Sequence, residues 1–193
     1  MNISIEKNNA AGQIVELLAK RFGKNRAIHP ETAIAVAARL SGSFLLRSFN
    51  FKLDTFDRGA IILSEEANEK GQELLGILSA SLASKGGTLD GEKLGGEKSL
   101  RGEEPHTSFD ESIALLQNDV LLIAQENKLG FEEIAQAAIL ATAFIIGECT
   151  KTIGAETAFN VAVYALIEGS KTVPPPFTCT SNVKESKPWY KVW

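Results

Sequence analysis

Apolar residues recur at three- and four-residue intervals along most of the chain, a spacing that predicts helices rather than strands. Six segments carry it. The first, Asn9 to Phe22, sets Ile14, Leu17, Leu18 and Phe22 on one side, with Asn8 as N-cap and Gly23 as stop. The second, Pro30 to Ser48, opens on a proline where a missing N–H costs nothing, and Glu31 follows at the positive helix end. A third begins after Ser64, with Ala67, Leu74, Leu78 and Leu82 as its stripe, and ends at Gly86-Gly87. Ser108 and Glu111 form a capping box ahead of the fourth, Phe109 to Lys128. The fifth, Phe131 to Ile153, is apolar nearly all round in its first half, which predicts neighbours on several sides and a central place. The sixth, Ala155 to Lys171, cannot continue through Pro174-Pro175-Pro176.

Two stretches break the pattern. Around residues 50–63, Phe51 and Leu53 alternate with polar residues, Asp57-Arg58-Gly59 offers a turn, and Ala60 to Leu63 is a short apolar run, which predicts a small β-hairpin or extended chain. From 86 to 106, glycines and charges replace apolar residues, so little burial offsets the ordering entropy and the segment reads as a flexible surface loop. The expected fold is therefore an all-α bundle of about six helices: one domain over 1–173, then a Pro-rich strut and aromatic docking tail over 174–193.

The second and fifth helices resemble each other at an offset of one hundred residues. Ile34, Ala35, Ala37, Ala38, Leu40 and Phe44 recur as Ile134, Ala135, Ala137, Ala138, Leu140 and Phe144. This points to a duplicated helical hairpin, with halves at 9–48 and 109–153; two alanine-rich buried helices alike by composition alone are the alternative. Either way, the small residues predict a close seam between the two helices, with Phe44 and Phe144 filling the space one turn on.

Composition narrows the function classes without naming one. A formal charge of −4 favours neither nucleic acid nor an anionic membrane. The start carries Glu6 and Lys7 where a leader would need apolar residues, so a cytoplasmic location is expected. The sequence has no P-loop, no dinucleotide fingerprint and no Cys-x-x-Cys, and its only histidines, His29 and His106, lack metal-ligand spacing on helices. Neither a metal nor a cofactor is expected, and Cys149, between Ile145 and Ile153, reads as a core thiol.

Two polar faces remain. Arg39 and Arg47 share a side of the second helix, and Tyr164 and Glu168 share one on the sixth. Arg39, standing where the other copy has Ile139, calls for a carboxylate from the sixth helix or from Glu148. Should these faces meet in a cleft, Arg39, Arg47, Tyr164 and Glu168 form a site for an anionic small molecule. The last residues carry Trp189, Tyr190 and Trp193, too apolar at their rings to prefer water, and are expected to dock on the bundle or on a second subunit. The leading expectation is a non-enzymatic protein that forms a homodimer and acts through protein contacts. The small-molecule binder or enzyme is the alternative.

Overall fold

The computed structural model describes residues 3–23 and 28–178. Six α-helices and no β-strand occur among them: α1 (Ile5–Phe22), α2 (Pro30–Ser48), α3 (Glu65–Ser84), α4 (Phe109–Glu126), α5 (Phe131–Ile153) and α6 (Ala155–Lys171). The fold is all-α.

Local chemistry accounts for the helix ends. The Ser64 hydroxyl accepts from Ala67 N–H, and Ser108 and Glu111 make the reciprocal capping box. Helix α1 starts earlier than the apolar pattern indicates, because Ser4 rather than Asn8 caps it, accepting from Lys7 N–H. Gly154, at φ 81°, ends α5 and leads directly into α6; this left-handed position favours glycine.

Helix α2, not α5, is the most enclosed: every residue from Glu31 to Leu46 is buried. It packs on α5, as the alanine seam requires, and more extensively on α6. The α2–α6 crossing is close because a glycine stands on each side. A Cβ at Gly42 would fall 2.4 Å from the Leu166 carbonyl oxygen, and one at Gly169 would fall 2.4 Å from that of Arg39. Helix α5 exposes one side, although it is long and apolar enough to cross a membrane by length and composition alone. Its buried residues, Ile134 to Ile146, face α1, α2, α3 and α6.

The helix neighbours follow a regular exchange. Helix α1 packs on α5 as α4 packs on α2, α3 packs on α5 as α6 packs on α2, and α2·α3 corresponds to α5·α6. Helix α1 thus lies against α5 more than against α2, and α4 against α2 more than against α5.

Residues 50–63 form no hairpin. Leu53–Thr55 is a single 3₁₀ turn, and Ile61 makes an isolated antiparallel bridge to Thr172. Gly59 and Ile62 donate to Val173 and Lys171 carbonyls, and Val173 donates to Ala60. This segment finds its hydrogen-bond partners in the chain leaving α6, so it has no need of a second strand of its own.

Segment 86–106 is seated on the bundle. The buried Asn160 amide donates to the Lys93 and Leu100 carbonyls, and its oxygen accepts from Gly95 N–H. Leu89 and Leu94 pack against the core, which supplies burial that the composition did not suggest.

Candidate functional site

Ala35, Arg39 and Ser43 form one ridge of α2, and packing against α6 turns that ridge inward. Arg39 is 6% exposed. Its Nε donates to Glu168 Oε2 at 2.6 Å and its Nη1 to the Thr107 carbonyl at 2.7 Å, so the sixth helix supplies the carboxylate. Segment 98–107 closes over this pair, and Arg101 lays its guanidinium on the Tyr164 ring, 3.6 Å from the centroid. Under that cover is a cavity of about 30 Å³, bordered by Ala35, Arg39, Lys98, Arg101 and Tyr164. This is room for water rather than for a metabolite. Glu103 and Glu104 also border it, and the Lys98 ammonium holds the Glu104 carboxyl below the usual carboxylate range.

Arg39, Tyr164 and Glu168 therefore lie together, and Arg47 lies apart. Eight helical residues separate Arg47 from Arg39, about 12 Å along the axis. Its Nη2 donates to Gln117 Oε1 and to the Pro175 carbonyl, both at 2.6 Å, while the cation sits 4.0 Å from the Phe177 ring centroid. No carboxylate pairs with it among the described residues, and burial lowers its pKa to about 10. Gln117 in turn donates to the Pro176 carbonyl. Arg47 and Gln117 together clamp the proline segment on α2 and α4. Gln117, 2% exposed on an apolar helix face, was the visible signal of this clamp, and sequence reasoning passed over it.

The two histidines, far apart in the sequence, stack with ring centroids 3.9 Å apart. His29 Nε2 lies 3.2 Å from Glu103 Oε2 and 3.4 Å from the buried Glu31, and Thr32 Oγ1 accepts from His106 N–H. The contacts pin segment 103–106 to the start of α2. Among the described residues no three His, Cys, Asp or Glu side chains are arranged to hold a metal ion. Burial first, then the charges of Glu148 and Glu31, raise the Cys149 pKa, which opposes thiolate chemistry.

The largest departure from the expected core concerns Phe144. Phe44 is fully buried, with the Phe131 and Phe177 rings 6.0 and 6.2 Å away. Its counterpart Phe144 is 44% exposed, with the Lys85 ammonium 4.7 Å from its ring centroid. The reason is local: α2 is covered by segments 98–107 and 173–177, and no described segment covers α5 in the same way. Phe144 and Leu140 instead floor a groove of about 540 Å³ between α1 and α3. Gly12 and Val15 form one wall, Ser81, Ser84 and Lys85 the other, and Ile3 closes an end.

Trp189, Tyr190 and Trp193 lie outside the described residues. Comparison with family models, curated proteins and solved structures finds no match in any of the three.

Proposed function

We propose that this chain is a non-enzymatic cytoplasmic helical protein that self-associates and acts through protein contacts, with the α1–α3–α5 groove as its contact surface. The half-exposed Phe144 on the groove floor carries the reading. A large aromatic ring left accessible between two helices costs hydration that a docked apolar surface recovers. The groove has an apolar floor of Leu140, Ala141, Ala143 and Phe144, with the polar Asn8, Glu16, Ser81, Ser84 and Lys85 on its walls, the layout of an apolar contact patch with a polar rim. Its charged residues, Glu16 and Lys85, come from the two flanking helices, an arrangement suited to a polar interface rim.

An anionic small molecule on Arg39, Arg47, Tyr164 and Glu168 has less support. The Arg39 charge is met by Glu168, the adjacent cavity is water-sized, and Arg47 serves the proline segment elsewhere. We also read the likeness of residues 34–46 and 134–146 as a duplication. Its support is the exchange relation among helix neighbours, in which α3 and α6, beyond the two hairpins, also correspond.

Sedimentation velocity of the full chain over a wide concentration range tests the reading. A mass that rises to that of a dimer is the expected result; a monomer at every concentration contradicts self-association.

A further inference from the structure

We infer that the groove over Leu140 and Phe144 seats the segment Trp189–Trp193 of a second copy of the chain, a step that rests on the self-association proposed above. The first argument is internal correspondence. At the position equivalent to Phe144, the fold seats an aromatic ring carried on an extended segment: Phe177, delivered by Pro174–Pro176, lies against Phe44. Phe144 has the same helix position and no aromatic neighbour among the described residues. An aromatic-bearing extended segment is what this half of the fold would need to match the other.

The chemistry and reach of residues 179–193 suit that seat. The segment carries Trp189, Tyr190 and Trp193, with Lys187 ahead of them and Lys191 between Tyr190 and Trp193. Gly12 leaves the α1 wall open, since a Cβ there would meet nothing within 4 Å. Trp189 lies eleven positions beyond Thr178, a stretch that can extend about 36 Å. Thr178 is held at Asn118 of α4, which is bonded through Arg21–Asp119 and Gln13–Asn127 to α1, the helix that forms one wall of the groove. Reciprocal exchange also doubles the contact. Three rings of about 150–250 Å² on each of two arms bury about 900–1,500 Å² before the groove walls are counted. That reaches the range of about 1,200–2,000 Å² found for stable interfaces.

Trp189 and Trp193 are the only tryptophans in the sequence, so indole emission reports on this segment alone. The experiment follows the emission maximum and the sedimenting mass of the full chain, a chain lacking residues 187–193, and the variants Phe144→Glu and Gly12→Gln. Gly12→Gln fills the groove from an open helix position and keeps the test decisive if Phe144→Glu fails to fold, which circular dichroism reveals. Blue-shifted emission is expected in the full-length dimer. Both groove variants should move it toward hydrated indole, and they and the truncation should weaken dimerisation by at least about tenfold. Hydrated emission in the unmodified dimer overturns the inference, as does a dimer indifferent to the truncation and both groove variants, while self-association itself survives. Blue-shifted emission in a monomer places the segment on its own chain, and both readings then fail.

Discussion

Substituting Gly42 by alanine tests the α2–α6 crossing on which the placement of Arg39 and Glu168 depends. The added carbon would fall 2.4 Å from the Leu166 oxygen, 2.5 Å from the Ser170 nitrogen and 2.8 Å from the Gly169 carbonyl carbon. All three are backbone atoms of α6, so no side-chain rotation relieves the clash. Since ordinary C···O contacts begin near about 3.3 Å, the helices must separate by about 1 Å. Overpacking of this kind costs about 1–3 kcal/mol or more, against which alanine's helix preference returns at most about 1 kcal/mol. A net loss of about 2 kcal/mol lowers Tm by about 4–8 °C in a chain of this size. Gly76→Ala is the control: it shares the propensity gain, but its new carbon meets nothing within 4 Å. It should stabilise by about 0.5–1 kcal/mol. Urea unfolding at one protein concentration, with slopes compared across variants, separates the two. Equal stability of Gly42→Ala and Gly76→Ala would refute the close crossing.

Other consequences can be checked in the same preparations. Ala138→Leu, at a fully buried seam position, should cost about 1–3 kcal/mol in the same unfolding assay, and an unchanged curve places Ala138 outside the seam. Arg39→Met leaves Glu168 and the Thr107 carbonyl without their donor and should cost about 3 kcal/mol, with much of the loss recovered in Arg39→Met/Glu168→Gln; additive losses in that cycle contradict the pairing. Asn160→Ala removes the partners of three backbone groups in segment 93–100, so trypsin should cut after Lys93, Lys98 and Arg101 faster than in the unmodified chain; an equal cleavage rate denies Asn160 its anchoring role. Because the Cys149 pKa is raised, less thiolate is present at pH 8 than for a free thiol. In a Cys179→Ser background, alkylation of Cys149 should be slower than that of a model thiol and accelerate only at higher pH; a faster reaction contradicts the burial.

Periodicity and capping made the helices legible. Pro30, Ser64 and the Ser108–Glu111 box act within one turn, so the sequence states them directly. The alanine seam was legible because small residues at helical spacing signal close approach wherever the partner comes from. Which helix becomes central was not, because enclosure of α2 depends on cover from segments 98–107 and 173–177, distant in sequence. The seating of segment 86–106 was hidden for a related reason: its anchor is one asparagine on α6 that reads as a surface residue of an amphipathic helix. At the site, the Arg39–Glu168 pair followed from a charge on an apolar helix that had to be met by a carboxylate. Arg47 was grouped with it by shared face, but two helical turns put it in another environment, under the proline segment. Phe144 misled because equivalence in sequence does not carry over the cover that Phe177 gives to Phe44.

A photoreactive phenylalanine analogue placed at position 144 of the full chain and irradiated captures whatever occupies the groove over α5, and so decides whether that occupant is a segment of another copy. The expected product is a covalent dimer in which position 144 is joined to residues 187–193 of the second chain. Recovery of monomer alone, or of a dimer joined elsewhere, contradicts it.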